Sequence, residues 1–270
     1  MKLLSGSELA GFIKQRHAQQ VRQLRESKIF PKLAIVQVKD DPVINTYVRL
    51  KKKYGTDIGV EVDIYRPAQK EVPNLLSKLN ADKSVYGIIV QLPLEDPDET
   101  DEIVNLIAPQ KDVDALGKNS KFQPATPTAI LWLLAGHNVE LKDKKVLLIG
   151  RGKLVGGPLE QILKNSGIDL DVADINTTNT KELSKRADVI IAAANAAGIL
   201  TADMVKQGVI IVDAGTANEE GKTVGNAAAD LYERDDITIT PKKGGVGPLT
   251  VCALFENVIR AAQNLPRTKS

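Results

Sequence analysis

The 270-residue chain has one cysteine, Cys252, and two histidines, His17 and His137. A single cysteine excludes an intramolecular disulfide and every thiolate-cluster metal site, and two histidines leave little from which to build a zinc site. Chemistry resting on a protein-bound metal is therefore not expected. Aromatic residues make up only 4%, so the core must be aliphatic. Charge of either sign is not in excess: 36 Lys plus Arg stand against 34 Asp plus Glu, and a net charge of +2 supplies no field for nucleic acid. No apolar run approaches the roughly 20 residues of a membrane span. Lys2-Leu3-Leu4 before Ser-Gly-Ser-Glu is too short for the apolar region of a signal peptide. A soluble cytoplasmic protein is expected, with no internal repeat.

What is present is an ordinary globular balance, 43% hydrophobic and 26% charged, in a length that suits one large α/β domain or two modest ones. Apolar runs alternate with amphipathic stretches, the pattern of helices covering both faces of a parallel sheet, which points to the α/β class. Ser7 is a candidate cap for a helix reaching about Arg25, with Leu9, Phe12 and Ile13 on one face. Strands are expected at 33–38, 62–65 and 86–90, with helices at 45–54 and 72–80. Periodicity lapses between Pro109 and Pro127, the best candidate boundary. A helix near 128–134 precedes a second series of strands at 145–149, 169–173, 189–193, 209–213 and 237–240. A last helix covers roughly Leu249 to Gln263.

The strand ending at Ile149 runs into Gly150-Arg-Gly-Lys-Leu-Val-Gly156 and then a helical pattern. Glycines at such a junction let backbone N–H groups and the helix N-terminus approach a pyrophosphate. Gly150-x-Gly152-x-x-x-Gly156 is a variant of the dinucleotide fingerprint, raised above chance by its strand-loop-helix context. A plain glycine-rich turn is the alternative. The next strand ends in Asp174, roughly 20 residues on, where a carboxylate accepts bonds from an adenosine ribose and favours NAD. Against this, Arg151 is suited to a 2′-phosphate, and Asp174 is equally suited to capping its own loop. NAD and NADP both stay open, with a lean to NAD.

In the first half, Tyr47 and Lys51 are four residues apart, hence on one helix face. A lysine beside an apolar pocket has its pKa lowered towards the range useful for proton transfer, although Lys51-Lys-Lys53 also reads as a solvated basic run. Gln91 closes the strand that begins at Tyr86, at the carboxyl edge where α/β ligands bind. In Lys111-Asp-Val-Asp114 a carboxylate is placed to receive the amino groups of a heterocycle, or to stabilise a turn. Pro241-Lys-Lys-Gly-Gly-Val-Gly-Pro-Leu-Thr250 is a second flexible loop before a helix, with Thr250 as a candidate N-cap. His137 reads as an exposed turn residue, His17 as polar-face, Trp132 as core and Cys252 as a small buried thiol.

Five motifs occur in order: Tyr47-x-x-x-Lys51, Gln91-Leu-Pro-Leu, Lys111-Asp-Val-Asp114, Gly150-Arg-x-x-x-Val-Gly-x-Pro158 and Gly244-Gly-Val-Gly-Pro-Leu-Thr250. Together they resemble the bifunctional methylenetetrahydrofolate dehydrogenase/cyclohydrolase family over almost the whole chain. The resemblance implies a folate-side domain of residues 1–122 plus 249–270, a Rossmann-type NAD(P)-binding domain of 123–248, a folate cleft between them and a homodimer. It implies hydride transfer from 5,10-methylenetetrahydrofolate to NAD or NADP, then hydrolysis of the methenyl product to 10-formyltetrahydrofolate, within one-carbon metabolism. Lys51 would transfer the proton and activate water, Gln91 would orient and tune it, Tyr47 would stack on the folate and Asp114 would hold the pterin. Leu92, Pro93, Gly245 and Pro248 would complete the substrate site. Gly150, Arg151, Gly152, Val155, Gly156, Asp174, Asn195 and Thr250 would contact the dinucleotide.

Several positions depart from the family pattern. Ile44 replaces Ser, Ala115-Leu116 replaces Gly-Phe, and Ala125 and Ala129 replace Cys and Gly. Further on, Gly152 replaces Ser, Asn195 replaces Gly, Asn226-Ala replaces Asp-Val, and Lys242-Lys243 stands where a residue followed by Pro is usual. The alternatives to an active dehydrogenase/cyclohydrolase are a member retaining mainly the cyclohydrolase, a non-catalytic folate- or nucleotide-binding relative, and an unrelated Rossmann dehydrogenase. The last leaves the first-half motifs unexplained.

Overall fold

The computed structural model describes residues 1–219 and 222–264. The first half of the chain runs β1 (Lys2–Leu3), α1 (Gly6–Glu26), β2 (Lys32–Gln37), α2 (Pro42–Ile58), β3 (Glu61–Tyr65), α3 (Val72–Ala81), β4 (Gly87–Gln91) and α4 (Thr100–Asn105). The second half runs α5 (Ala125–Gly136), β5 (Val146–Ile149), α6 (Gly156–Asn165), β6 (Leu170–Ala173), α7 (Thr180–Arg186), β7 (Val189–Ala192), β8 (Ile210–Asp213), a hairpin of β9 (Ala217–Glu219) and β10 (Lys222–Val224), β11 (Thr238–Ile239) and α8 (Val246–Asn264). Two compact units result, Met1–Ala10 with Thr126–Thr250, and Gly11–Ala125 with the chain from Val251 on.

The unit containing Gly11–Ala125 holds a parallel three-stranded sheet in the order β3-β2-β4. Its strands are nearly continuous apolar runs because both faces are covered. On one face Ala34, Val36, Ile88 and Val90 pack against Val72, Leu76 and Leu79 of α3 and Ile103 and Val104 of α4. The other face receives α2, so closely that a Cβ on Gly55 would lie 2.4 Å from Val62 and 3.1 Å from Phe255. α2 begins three residues before the expected start and ends four after the expected end. The Asp41 carboxylate accepts from the N–H groups of Val43 (2.8 Å) and Ile44 (3.1 Å), Pro42 occupies the first turn, and Gly59 ends the helix at φ 85°.

α1 corrects two expectations. It starts at Gly6, so Ser7 is not its cap; the Ser7 N–H and hydroxyl both donate to the Gly244 carbonyl, at 3.0 and 3.3 Å. Phe12, expected on the apolar face, is exposed, and the buried stripe is Ala10, His17, Val21 and Leu24. His17 is therefore core rather than polar-face. Its Nδ1 lies 3.0 Å from the Tyr54 hydroxyl and its Nε2 2.9 Å from Glu256, while the Tyr54 hydroxyl donates to Cys252 at 3.3 Å. The bond to His17 holds the Glu256 carboxyl below the usual range. Burial becomes tolerable because each polar atom of the imidazole has a partner. Cys252 is the buried thiol expected.

The unit containing Thr126–Thr250 is built on a six-stranded, all-parallel sheet in the order β1-β11-β8-β7-β5-β6. Leu147, Ile149, Ile190, Ile211 and Ile239 form one core face with Leu183 and Leu231. Lys2 and Leu3 pair with Thr238 and Ile239, and residues 1–10 group with this unit, whereas a boundary at residue 122 groups them with the other. A two-residue strand carries no periodicity from which to read this. α8 starts at Val246, so Thr250 is not an N-cap but sits one turn inside, its hydroxyl donating back to the Val246 carbonyl at 3.3 Å. Trp132 is half-buried rather than core, and His137 is partly covered, with Nε2 3.0 Å from the Ser5 carbonyl oxygen. Among the described residues no helix is long and apolar enough to cross a membrane.

Candidate active site

The carboxyl edge of the three-stranded sheet gathers the first group of expected residues. Gln91 is the last residue of β4, in register with Gln37 of β2. Its side chain is held at both ends: Oε1 accepts from Lys51 Nζ at 2.9 Å and Nε2 donates to the Leu92 carbonyl at 3.0 Å, beside the cis Leu92-Pro93 peptide. Lys51 reaches Gln91 from α2, its long side chain pointing back towards the helix N-terminus as helical side chains do. Loss of hydration lowers the Lys51 pKa from the ordinary lysine value, and the Asp114 carboxylate opposes that shift. Tyr47, one turn earlier on α2, is 37% exposed, so its ring is available to a ligand.

Asp114 is brought in by a segment pinned along β4. The Ile88 N–H donates to the Lys111 carbonyl at 2.7 Å, and Asn257 Nδ2 donates to the carbonyls of Val113 and Gln123, both at 2.9 Å. The Lys111-Asp-Val-Asp114 run divides its labour. Lys111 is buried and its ammonium donates to the carbonyls of Leu79 and Asp82, while buried Asp112 accepts from the Gly117 N–H at 2.8 Å. Those two are structural, and burial lowers the Lys111 pKa and raises that of Asp112. Asp114 is only partly buried. Ala115, directly after it, has φ 57°, a left-handed conformation costly for a residue with a Cβ. Ala115→Gly is expected to raise unfolding free energy by up to about 1 kcal/mol, read from denaturant midpoints.

Sequence reasoning missed Gln37, which is buried and whose Nε2 donates to the Lys39 carbonyl at 3.0 Å and to Asn45 Oδ1 at 2.6 Å. This ties the end of β2 to the first turn of the helix that carries Tyr47 and Lys51. A polar residue ending an apolar strand was the available signal. Ile44, at a position where the family pattern has Ser, is a buried apolar residue of that same turn.

A second group lies at the carboxyl edge of the six-stranded sheet. Gly150 has φ 101°, and a Cβ there would stand 2.6 Å from the Ala193 carbonyl oxygen. A Cβ on Gly156, the first residue of α6, would stand 2.0 Å from the Gly150 carbonyl oxygen. Both glycines are thus required by the loop itself, whereas a Cβ on Gly152 meets nothing within 4 Å, leaving that side of the loop open. Val155 immediately precedes α6. Arg151 makes a bidentate pair with Glu160 at 3.0 and 3.1 Å and lies 3.6 Å from Asp174. Lys164 and Arg151 together hold the Glu160 carboxyl below its usual range. Asp174 also accepts from the Asn176 N–H at 2.9 Å, so it does stabilise its own loop. Asn195 is exposed in the loop after β7. Gly245, Pro248 and Thr250 lie in this unit too, before and within the first turns of α8.

Comparison with known proteins places both units in one family. Residues 4–114 match the tetrahydrofolate dehydrogenase/cyclohydrolase catalytic domain, and residues 124–265 match the NAD(P)-binding domain of the same family. A Lactobacillus acidophilus protein described as "Bifunctional protein FolD" is 36% identical over 272 residues, covering 96% of each chain. The crystal structure of the Campylobacter jejuni bifunctional methylenetetrahydrofolate dehydrogenase/cyclohydrolase superposes with a TM-score of 0.92 at 36% identity, covering 98% of this chain and 99% of that one. The Trypanosoma brucei enzyme, solved with NADP cofactor and inhibitor, gives a TM-score of 0.91 at 26% identity over 98% of both chains. Both halves of the chain, each built on its own parallel sheet and each matched by its own domain model, thus place this protein in the tetrahydrofolate dehydrogenase/cyclohydrolase family.

Proposed function

We propose that Lys51 is the proton-transferring and water-activating group of this enzyme, with Gln91 holding its amine, Tyr47 stacking on the folate ring and Asp114 receiving the pterin amino groups. Leu92, Pro93, Gly245 and Pro248 complete the substrate contacts. Family membership carries two reactions: oxidation of 5,10-methylenetetrahydrofolate with NAD(P)+, and hydrolysis of the methenyl form to 10-formyltetrahydrofolate. The observation that supports the Lys51 assignment is its 2.9 Å bond to Gln91 in surroundings that lower its pKa. A lysine can take a proton only when neutral, and desolvation brings the neutral form within reach at lower pH. In the hydrolysis, water adds to the electrophilic methenyl carbon and gives its proton to the Lys51 amine. The tetrahedral adduct then breaks its bond to N5 as its hydroxyl becomes the formyl carbonyl; the hydroxyl proton passes to N5, and the formyl group stays on N10.

The dinucleotide site fits its ligand in the same terms. Gly150 and Gly156 form a turn in which a Cβ at either position would collide with backbone, and the open side at Gly152 leaves room for a pyrophosphate at the start of α6. When bound there, NAD(P)+ accepts the hydride that leaves the methylene carbon. The chain's own part is to hold it, through Gly150, Gly152, Val155, Gly156 and the Arg151 backbone at the phosphates, Asp174 at the ribose, Asn195 towards the nicotinamide and Thr250 as a further contact. The lean to NAD is supported by Arg151, whose guanidinium is already committed to Glu160 rather than held ready for a 2′-phosphate. The folate-side domain would comprise 1–122 plus 249–270 and the nucleotide domain 123–248, except that residues 1–10 group with the nucleotide-binding unit, in a cytoplasmic homodimer.

Two assays test this reading. One supplies 5,10-methylenetetrahydrofolate with NAD or NADP and follows reduced nicotinamide; the other follows loss of methenyltetrahydrofolate. Background rates in both would overturn it. Asp174→Ser is expected to lower kcat/KM for NAD about tenfold, the equivalent of one charged hydrogen bond, with little loss for NADP. Equal losses would make Asp174 a loop residue alone.

A further inference from the structure

We infer that Asn226 is a positioning residue for the dinucleotide site, its buried amide setting the shape of the 194–196 loop and so the presentation of Asn195. The inference rests on the assignment of Asn195 to the cofactor. Asn226 is fully buried, yet every polar atom of its side chain is used. Nδ2 donates to the carbonyls of Ala194 (2.9 Å) and Ala196, and Oδ1 accepts from the Ala194 N–H at 2.9 Å. The peptide carbonyls flanking Asn195 are therefore both tied to one amide. The orientation of that amide is forced, because carbonyl oxygens need the nitrogen and the N–H needs the oxygen.

Asn226 is itself anchored. Its N–H donates to Asp213 Oδ1 at 3.0 Å, and Asp213 also accepts from Ala227 (2.9 Å) and Gly215 (3.0 Å). A Cβ on Gly215 would come within 2.2 Å of the Asn226 amide, so no space is left for it to turn. Loop 193–198 leaves β7 at the carboxyl edge of the sheet, and Ala193 is the residue against which Gly150 is packed. The amide thus fixes one wall of the glycine turn and the residue proposed to face the nicotinamide. The family pattern carries Asp at this position, but in this chain an Asp would supply no N–H and would set oxygen against the two carbonyl oxygens that Asn226 holds.

The test is a double-mutant cycle of Asn226→Asp and Asn195→Ala, read as KM and kcat for NAD(P)+ beside the cyclohydrolase rate, which needs no dinucleotide. Asn226→Asp is expected to raise the dinucleotide KM about tenfold or more while methenyl hydrolysis, measured well below the variant's own thermal midpoint, stays within twofold. Its deficit relative to the parent should shrink as pH falls, because a buried carboxyl set against two carbonyl oxygens favours protonation and then donates one bond. The double variant should be no worse than Asn226→Asp alone. An unchanged KM, additive losses, or equal loss of both activities with a lowered thermal midpoint would overturn the inference. Asn195→Ala without effect on KM would instead remove Asn195 from the cofactor site, and this inference with it, leaving the glycine-turn assignments standing.

Discussion

Lys51→Ala is expected to slow methenyltetrahydrofolate hydrolysis by about 100-fold or more, the scale of a positioned general base, in a protein that still folds. The fold should survive because the substitution relieves as much as it removes. It leaves Gln91 Oε1 without its 2.9 Å donor, a cost of about 1–3 kcal/mol, but it also removes an amine whose charged form is disfavoured by its surroundings. Ile44, Val48 and Ile58, which pack α2 into the core, are untouched. Hydrolysis by the purified variant, compared with the parent at matched folded concentration, is the check. An unchanged rate would remove Lys51 from its assigned role.

Gly156→Ala is expected to reduce dehydrogenase kcat/KM by about 100-fold or more and to leave cyclohydrolase activity within about twofold. The added methyl would sit 2.0 Å from the Gly150 carbonyl oxygen, a separation no contact tolerates. Gly150 has nowhere to retreat: its N–H donates to the Ala173 carbonyl at 2.8 Å, and its α-carbon faces the Ala193 carbonyl. The loop must open, moving the N–H groups proposed to cradle the pyrophosphate. Titration with reduced dinucleotide, followed by fluorescence, would separate lost binding from lost chemistry. Parent-like affinity would show that this turn is not the phosphate site.

The α/β class and eight of the strands were legible because fully covered parallel strands read as short apolar runs, and the glycine turn because its backbone admits no substitute. Lys51 and Gln91 were separately ambiguous, a charge run and a polar strand end, and the bond that pairs them is visible only in space. What escaped reading is what sequence period cannot carry. β1 is two residues long and pairs with a strand from the far end of the chain. His17 occupies a core position because Tyr54 and Glu256, remote in sequence, meet its two nitrogens. Asp112 and Asp114 are alike in sequence, yet the first is spent on the Gly117 N–H and only the second is left partly exposed. Asn226 was visible as a departure from the family pattern, but its meaning lies in two carbonyls of a distant loop.

Lys51 is held in surroundings that favour its neutral form. The direct measurement is an NMR titration of the Lys51 side chain, with its signal assigned by its loss in Lys51→Ala. A midpoint clearly below the ordinary lysine value of 10.5 is expected, since desolvation outweighs the attraction of Asp114. A midpoint at or above 10.5 would contradict it, because the amine would then stay protonated wherever the enzyme works.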